Sequence, residues 1–62
     1  MNKYGIWNVT EDVQEVNNIT ELEVIEFADI ERAVNTGEVA EVRTLDQAKE
    51  LLHSLGYLVE EL

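Results

Sequence analysis

Residues 44 to 56, TLDQAKELLHSLG, constrain the fold most. On a helical wheel Leu45, Ala48, Leu51, Leu52 and Leu55 fall in one stripe about 120° wide, while Asp46, Lys49, Glu50 and His53 face away. Thr44 stands where an N-cap belongs, and Gln47 three residues later completes the pattern of a capping box. Gly56 follows as the left-handed residue that ends such a helix. YLVEEL comes at once: Tyr57, Leu58 and Val59 favour a strand, and Leu58 and Leu62 share one face across Glu60. On the other side EVAEVRT, residues 38 to 44, reads as another short strand. Strand, helix and strand with tight connections predict a crossover unit with parallel strands.

Upstream, ITELEVIEFADIERAV (residues 19 to 34) is harder to parse. Read as one helix from Glu21 to Asn35, its apolar residues scatter round the wheel, with Leu22 and Val24 about 160° apart. A split near Glu26 resolves this. TELEVIEF then reads as a strand with Leu22 and Val24 on one face and Glu21 and Glu23 on the other, the pair Val24–Ile25 marking a bulge or a strand covered on both faces. From Phe27 onward, Phe27, Ile30, Ala33 and Val34 form the buried stripe of a short helix that Gly37 ends, with Asp29, Glu31 and Arg32 in water. KYGIWNV predicts an N-terminal strand, Tyr4 and Ile6 on one face and Trp7 and Val9 on the other. TEDVQEVNN, residues 10 to 18, is either a short helical or irregular connection, the preferred reading, or a hairpin strand VQEV with Asn17-Asn18 in a turn. The expected architecture is a small α/β sandwich with α+β as the alternative: about four short strands and two helices, in a single domain over residues 1–62.

Composition narrows the function. The chain has 62 residues, 45% of them hydrophobic, no cysteine and no proline. Disulfide and thiolate-zinc staples are therefore absent, and disorder is disfavoured. No apolar run approaches the about 20 residues of a membrane span, and MNKYGIWNV lacks the blocks of a signal peptide, so a cytoplasmic protein is expected. The net charge is −10, and it is uneven along the chain. Residues 11 to 41 hold ten acids and one base, for −9; the rest holds four acids and three bases, for −1. Such a field repels nucleic acid and anionic lipid and attracts basic surfaces.

Catalytic and metal constellations are weak. His53 and Ser54 are the only histidine and serine. As helix neighbours their side chains diverge by about 100°, which suits a solvated face better than a nucleophile and its base. TEDVQEV puts apolar residues where a calcium loop needs oxygens and has no glycine. Paired carboxylates doing acid–base work need a water-excluding pocket, for which so short a chain has little room. No enzyme, metal or cofactor is expected. Tyr4, Trp7 and Tyr57 read as core residues, or, if exposed among acids, as contact anchors.

The acidic segment is the remaining feature. Glu11, Asp12, Glu15, Glu21, Glu23, Glu26, Glu31, Glu38 and Glu41 are the candidate partner contacts. On a strand, Glu21 and Glu23 would project about 6.6 Å apart, and on a helix Glu11 and Glu15 would stand about 5–6 Å apart, spacings like those of neighbouring phosphates. A solubilising surface is the competing reading. In size, acidity and lack of catalytic groups the chain resembles small phage-encoded inhibitor proteins, among them nucleic-acid mimics that block restriction, CRISPR or DNA-repair enzymes. That resemblance implies a non-catalytic protein that occupies the basic groove of a nucleic-acid-handling partner. The alternative is a structural or regulatory subunit or a homo-oligomer, associating through apolar surface or through edge strands at Lys3–Val9 or Tyr57–Leu62.

Overall fold

The computed structural model describes residues 2–37 and 42–62. Three strands, β1 (Tyr4–Asn8), β2 (Val13–Ile19) and β3 (Tyr57–Glu61), and two helices, α1 (Glu21–Thr36) and α2 (Leu45–Ser54), run in the order β1-β2-α1-α2-β3. The sheet order is β2-β1-β3, and both pairings are antiparallel. This is the α+β alternative. The parallel crossover unit is not formed: Val42, Arg43 and Thr44 are not in a strand, and residues 38–41 of the expected EVAEVRT strand lie outside the described residues. Nor is Lys3–Val9 an edge, because β1 is the central strand.

β1 alternates as expected. Tyr4 and Ile6 are buried under the helices, while Trp7 is half-buried and Val9 exposed on the opposite side. β3 matches β1 one to one, from Tyr4 opposite Glu61 to Asn8 opposite Tyr57. β2 corrects the expected irregular connection. The hairpin alternative is nearer, but the turn lies at residues 9–12, and Asn17 and Asn18 sit inside the strand. Asn8 Oδ1 accepts from Glu11 N at 3.0 Å in that turn, and Asp12 has a left-handed φ of 55°. β2 shifts register against β1 twice, and Asn18 takes φ 58°. Each shift moves the side chains out of phase, so a strand forms without the alternation that would announce it.

The largest correction is α1, a single helix of 16 residues where a strand and a short helix were expected. Its start is set by a capping box. Thr20 Oγ1 accepts from Glu23 N at 3.2 Å, and Glu23 Oε1 accepts from Thr20 N at 3.0 Å. Glu21 and Glu23 are therefore not strand neighbours on one face. Gly37 ends the helix as expected, at φ 73°, its N–H donating to Ala33 O. The buried stripe is also not the expected one. Val24 and Ala28 are fully buried and Ile25 and Phe27 pack beside them. Leu22, Ile30 and Val34 are instead 64, 63 and 77% exposed, while Asp29, Glu31 and Arg32 are half-buried.

α2 matches its sequence closely. Ala48 and Leu52 are buried, and Leu45, Leu51 and Leu55 are half-buried. Thr44 Oγ1 accepts from Gln47 N at 3.2 Å. Gln47 reaches back one residue further than a capping box requires, accepting from Arg43 N rather than from Thr44. Gly56 takes φ 92° after the helix. The chain before α2 is tied to α1 by Asp29, which accepts from Val42 N at 2.7 Å. The core is Tyr4, Ile6, Val24, Ala28, Val42, Ala48 and Leu52, one layer between the sheet and the two helices.

Val24→Ala should cost about 2 kcal/mol, from two lost methyl groups and an unfilled space. Ile30→Ala and Val34→Ala should stay within about 0.5 kcal/mol. Urea denaturation of the three variants measures the difference; the reverse ranking would restore the split helix and its expected stripe.

Candidate functional site

The fold brings acids of the β1–β2 hairpin and of α1 to one end of the sheet. Tyr57, the first residue of β3, lies opposite Asn8, the last of β1. Its ring meets Phe27 of α1 edge to face, with centroids 5.6 Å apart and planes at 88°. That contact points the phenol along α1, where its hydroxyl donates to Glu31 Oε1 at 3.2 Å. Glu31 Oε2 also accepts from Asn35 Nδ2 at 3.1 Å. Next to this, Asn8 holds the hairpin acids: its Nδ2 donates to Glu15 Oε1 at 3.4 Å and its Oδ1 accepts from Glu11 N. The pKa of Tyr57 is raised, first by burial and then by the charge of Glu31 and the hydrogen bond to it, with smaller contributions from Glu15 and Glu11.

The expected contact residues thus divide. Glu31 meets Tyr57, and Glu11 and Glu15 are tied to Asn8, the cross-strand neighbour of Tyr57. Asp12 sits exposed in the same β1–β2 turn. Glu21 and Glu23 lie at the other end of the sheet, where Glu21 borders a groove shared with Asn2, Tyr4 and Thr20. Glu23 is committed to its cap, and the bonds from the Thr20 backbone and then the Thr20 hydroxyl lower its pKa. Glu26 is exposed on the outer side of α1. Glu38 and Glu41 fall outside the described residues. The phosphate-like spacing expected of Glu21 and Glu23 is lost, because on a helix they diverge by about 160°.

Sequence reading missed Tyr57 as the centre of this end. The Tyr57–Glu31 bond spans 26 residues of sequence, and no local spacing announces it. Asn8 was also missed.

Elsewhere, Ser54 Oγ donates to Leu51 O at 2.6 Å, which commits its proton to the helix backbone, and His53 is exposed. Among the described residues no group of three His, Cys, Asp or Glu could hold a metal ion, and no helix is long and apolar enough to cross a membrane. The sheet face turned from the helices carries Trp7, Val9, Leu58 and Leu62, the last three 61, 42 and 61% exposed. Compared with protein-family models, with curated proteins and with solved structures, the chain matches none.

Phenolate absorbance in a Tyr4→Phe background isolates Tyr57. Its midpoint should lie above that of an ordinary tyrosine and fall in Glu31→Gln, which removes both the charge and the strongest acceptor. A folded-state pKa above the unfolded one favours the folded state at pH below the ordinary tyrosine value, and that contribution is lost as pH rises through the folded midpoint. An unchanged midpoint in Glu31→Gln would break the link between Tyr57 and the acids.

Proposed function

We propose that the protein is a non-catalytic binding protein whose partner presents a basic surface, and that its action is to occupy that surface. The observation that supports this is that Glu31 is held on Tyr57 while Glu15 and the Glu11 backbone are held on Asn8, the residue opposite Tyr57 in the sheet. The β1–β2 hairpin and α1 deliver the carboxylates, and those of Glu15 and Glu31 are held by Asn8 and Tyr57, so their negative charge is ordered before binding. An ordered charge loses less entropy on association than one on a free side chain. The net charge of −10 steers a basic partner toward the protein and keeps nucleic acid away. A groove that evolved for nucleic acid, in a host nuclease, defence or repair enzyme, offers such a surface, and the cytoplasm is where it would be met. The reading rests on this local cluster and not on a ladder of acids along the chain.

A second reading is favoured by the other sheet face. Trp7 and Leu58 are direct cross-strand neighbours there, with Val9 beside them. Association through this apolar surface, with another subunit or a second copy, would be nearly indifferent to salt.

Affinity capture from a host lysate at low and high salt separates the two. The first reading expects a partner that is released at high salt and lost when Glu11, Glu15 and Glu31 are changed together to Lys. The Glu21→Lys/Glu26→Lys double variant should lose less. Capture that resists salt and the triple change but fails in Leu58→Asp would replace the first reading by the second.

A further inference from the structure

β3 is an edge strand of a regular kind. Val9 N donates to Gly56 O, and Leu62 N donates to Lys3 O, both at the ends of a one-to-one register. Residues 56, 58, 60 and 62 therefore direct their backbone groups to β1. Tyr57, Val59 and Glu61 direct theirs the other way. Among the described residues no strand lies on that side. The other edge, β2, is interrupted by its two register shifts and by Asn18, and offers no continuous ladder. Beside this edge runs an open groove of about 470 Å³, lined by Lys49, Glu50, His53 and Ser54 of α2 and by Tyr57, Leu58 and Val59 of β3.

We infer that β3 and this groove form a docking site for an extended segment of another protein, added to the sheet as a fourth strand. The occupant's backbone answers Tyr57, Val59 and Glu61. Its side chains alternate. Those opposite Val59 turn toward α2 and are apolar, filling the groove against Tyr57 and the Lys49 stem. Those opposite Leu58 and Glu60 turn to the open face, where a lysine or arginine meets Glu60. A second copy is the poorer occupant. Pairing two β3 strands about Val59 would bring Glu60 against Leu58 of the copy, and two molecules of charge −10 would meet edge to edge. This inference rests on the chain being a binding protein, but not on the acidic end around Tyr57.

The probe is a capped heptapeptide of alternating lysine and valine, followed by amide hydrogen exchange on the whole chain. Binding should slow exchange at Tyr57, Val59 and Glu61. N-methylation of the valines removes the peptide donors that face β3 while keeping every charge, and should weaken binding roughly tenfold or more. A glutamate–valine peptide should not bind the native chain, and should bind Glu60→Lys better than the native chain. Equal binding by the N-methylated peptide, or protection at β2 in place of β3, overturns the inference. So does protection of the β3 amides in the chain alone that grows with its concentration, because the occupant is then a second copy. Loss of peptide binding in the Glu11/Glu15/Glu31→Lys variant, with N-methylation harmless, moves recognition to the acidic end: this inference fails and the proposed function stands. Protection at β3 that persists in that variant, beside a lysate partner that ignores salt, leaves this inference standing and removes the basic-surface reading.

Discussion

Two reciprocal hydrogen bonds between Thr20 and Glu23 fix the start of α1, whose phase decides which of its side chains meet the rest of the fold. They satisfy backbone donors that a helix start leaves open, and they fix where α1 begins. From that phase, Val24 and Ala28 point into the sheet and Phe27 meets Tyr57. One turn later Glu31 reaches the Tyr57 hydroxyl, and Asp29 holds the chain entering α2 through Val42 N. A helix that began one residue later would leave the Thr20 hydroxyl and the Glu23 carboxylate without these partners and change how the chain passes from β2 into α1.

A chain of this length covers a sheet only once. Each helix sets one alanine and one larger residue in the core, Ala28 with Val24 and Ala48 with Leu52, against Tyr4 and Ile6 of β1. The core is correspondingly thin, and among the described residues no helix or strand covers the face bearing Trp7 and Leu58. The exposed apolar residues are a geometric consequence of one helical layer on three strands. Exposure on that face is therefore weaker evidence for a partner than the β3 edge, whose outward N–H and C=O groups have the spacing of another strand.

The parts legible in sequence are those where cap, stripe and terminator agree. Thr44, the Leu45–Leu55 stripe and Gly56 give α2; Gly37 gives the end of α1; the alternation of Tyr4, Ile6 and Trp7 gives β1. The first half of α1 is misread when every apolar residue is required to be buried. Leu22, Ile30 and Val34 are not, and apolar residues at the surface are ordinary. The same Thr-x-x-Glu pattern that marks a helix start stands at Thr20–Glu23 and outweighs the scattered wheel. β2 is illegible for a different reason. Five of its seven residues are exposed and its bulges interrupt the period of two, so only pairing with β1 makes it a strand. The acidic end is partly legible as charge, with Glu11, Glu15 and Glu31 among the expected contacts. Tyr57, which holds Glu31, reads only as core or contact anchor in sequence because its partner lies across the fold.

Charge crowded in sequence is not charge crowded in space, and α1 shows why. Its acids Glu21, Glu23, Glu26, Asp29 and Glu31 advance by about 100° per residue, so a dense run is distributed round the helix. The molecule extends 30 Å along its longest axis. Surface charges are screened beyond about 8 Å at physiological salt, so Glu21 and Glu15 cannot act on one small contact together. The total of −10 sets which partners approach from a distance. What a partner feels on contact is set by the few acids that tertiary structure holds side by side, and in this fold Phe27, Tyr57 and Asn8 choose them.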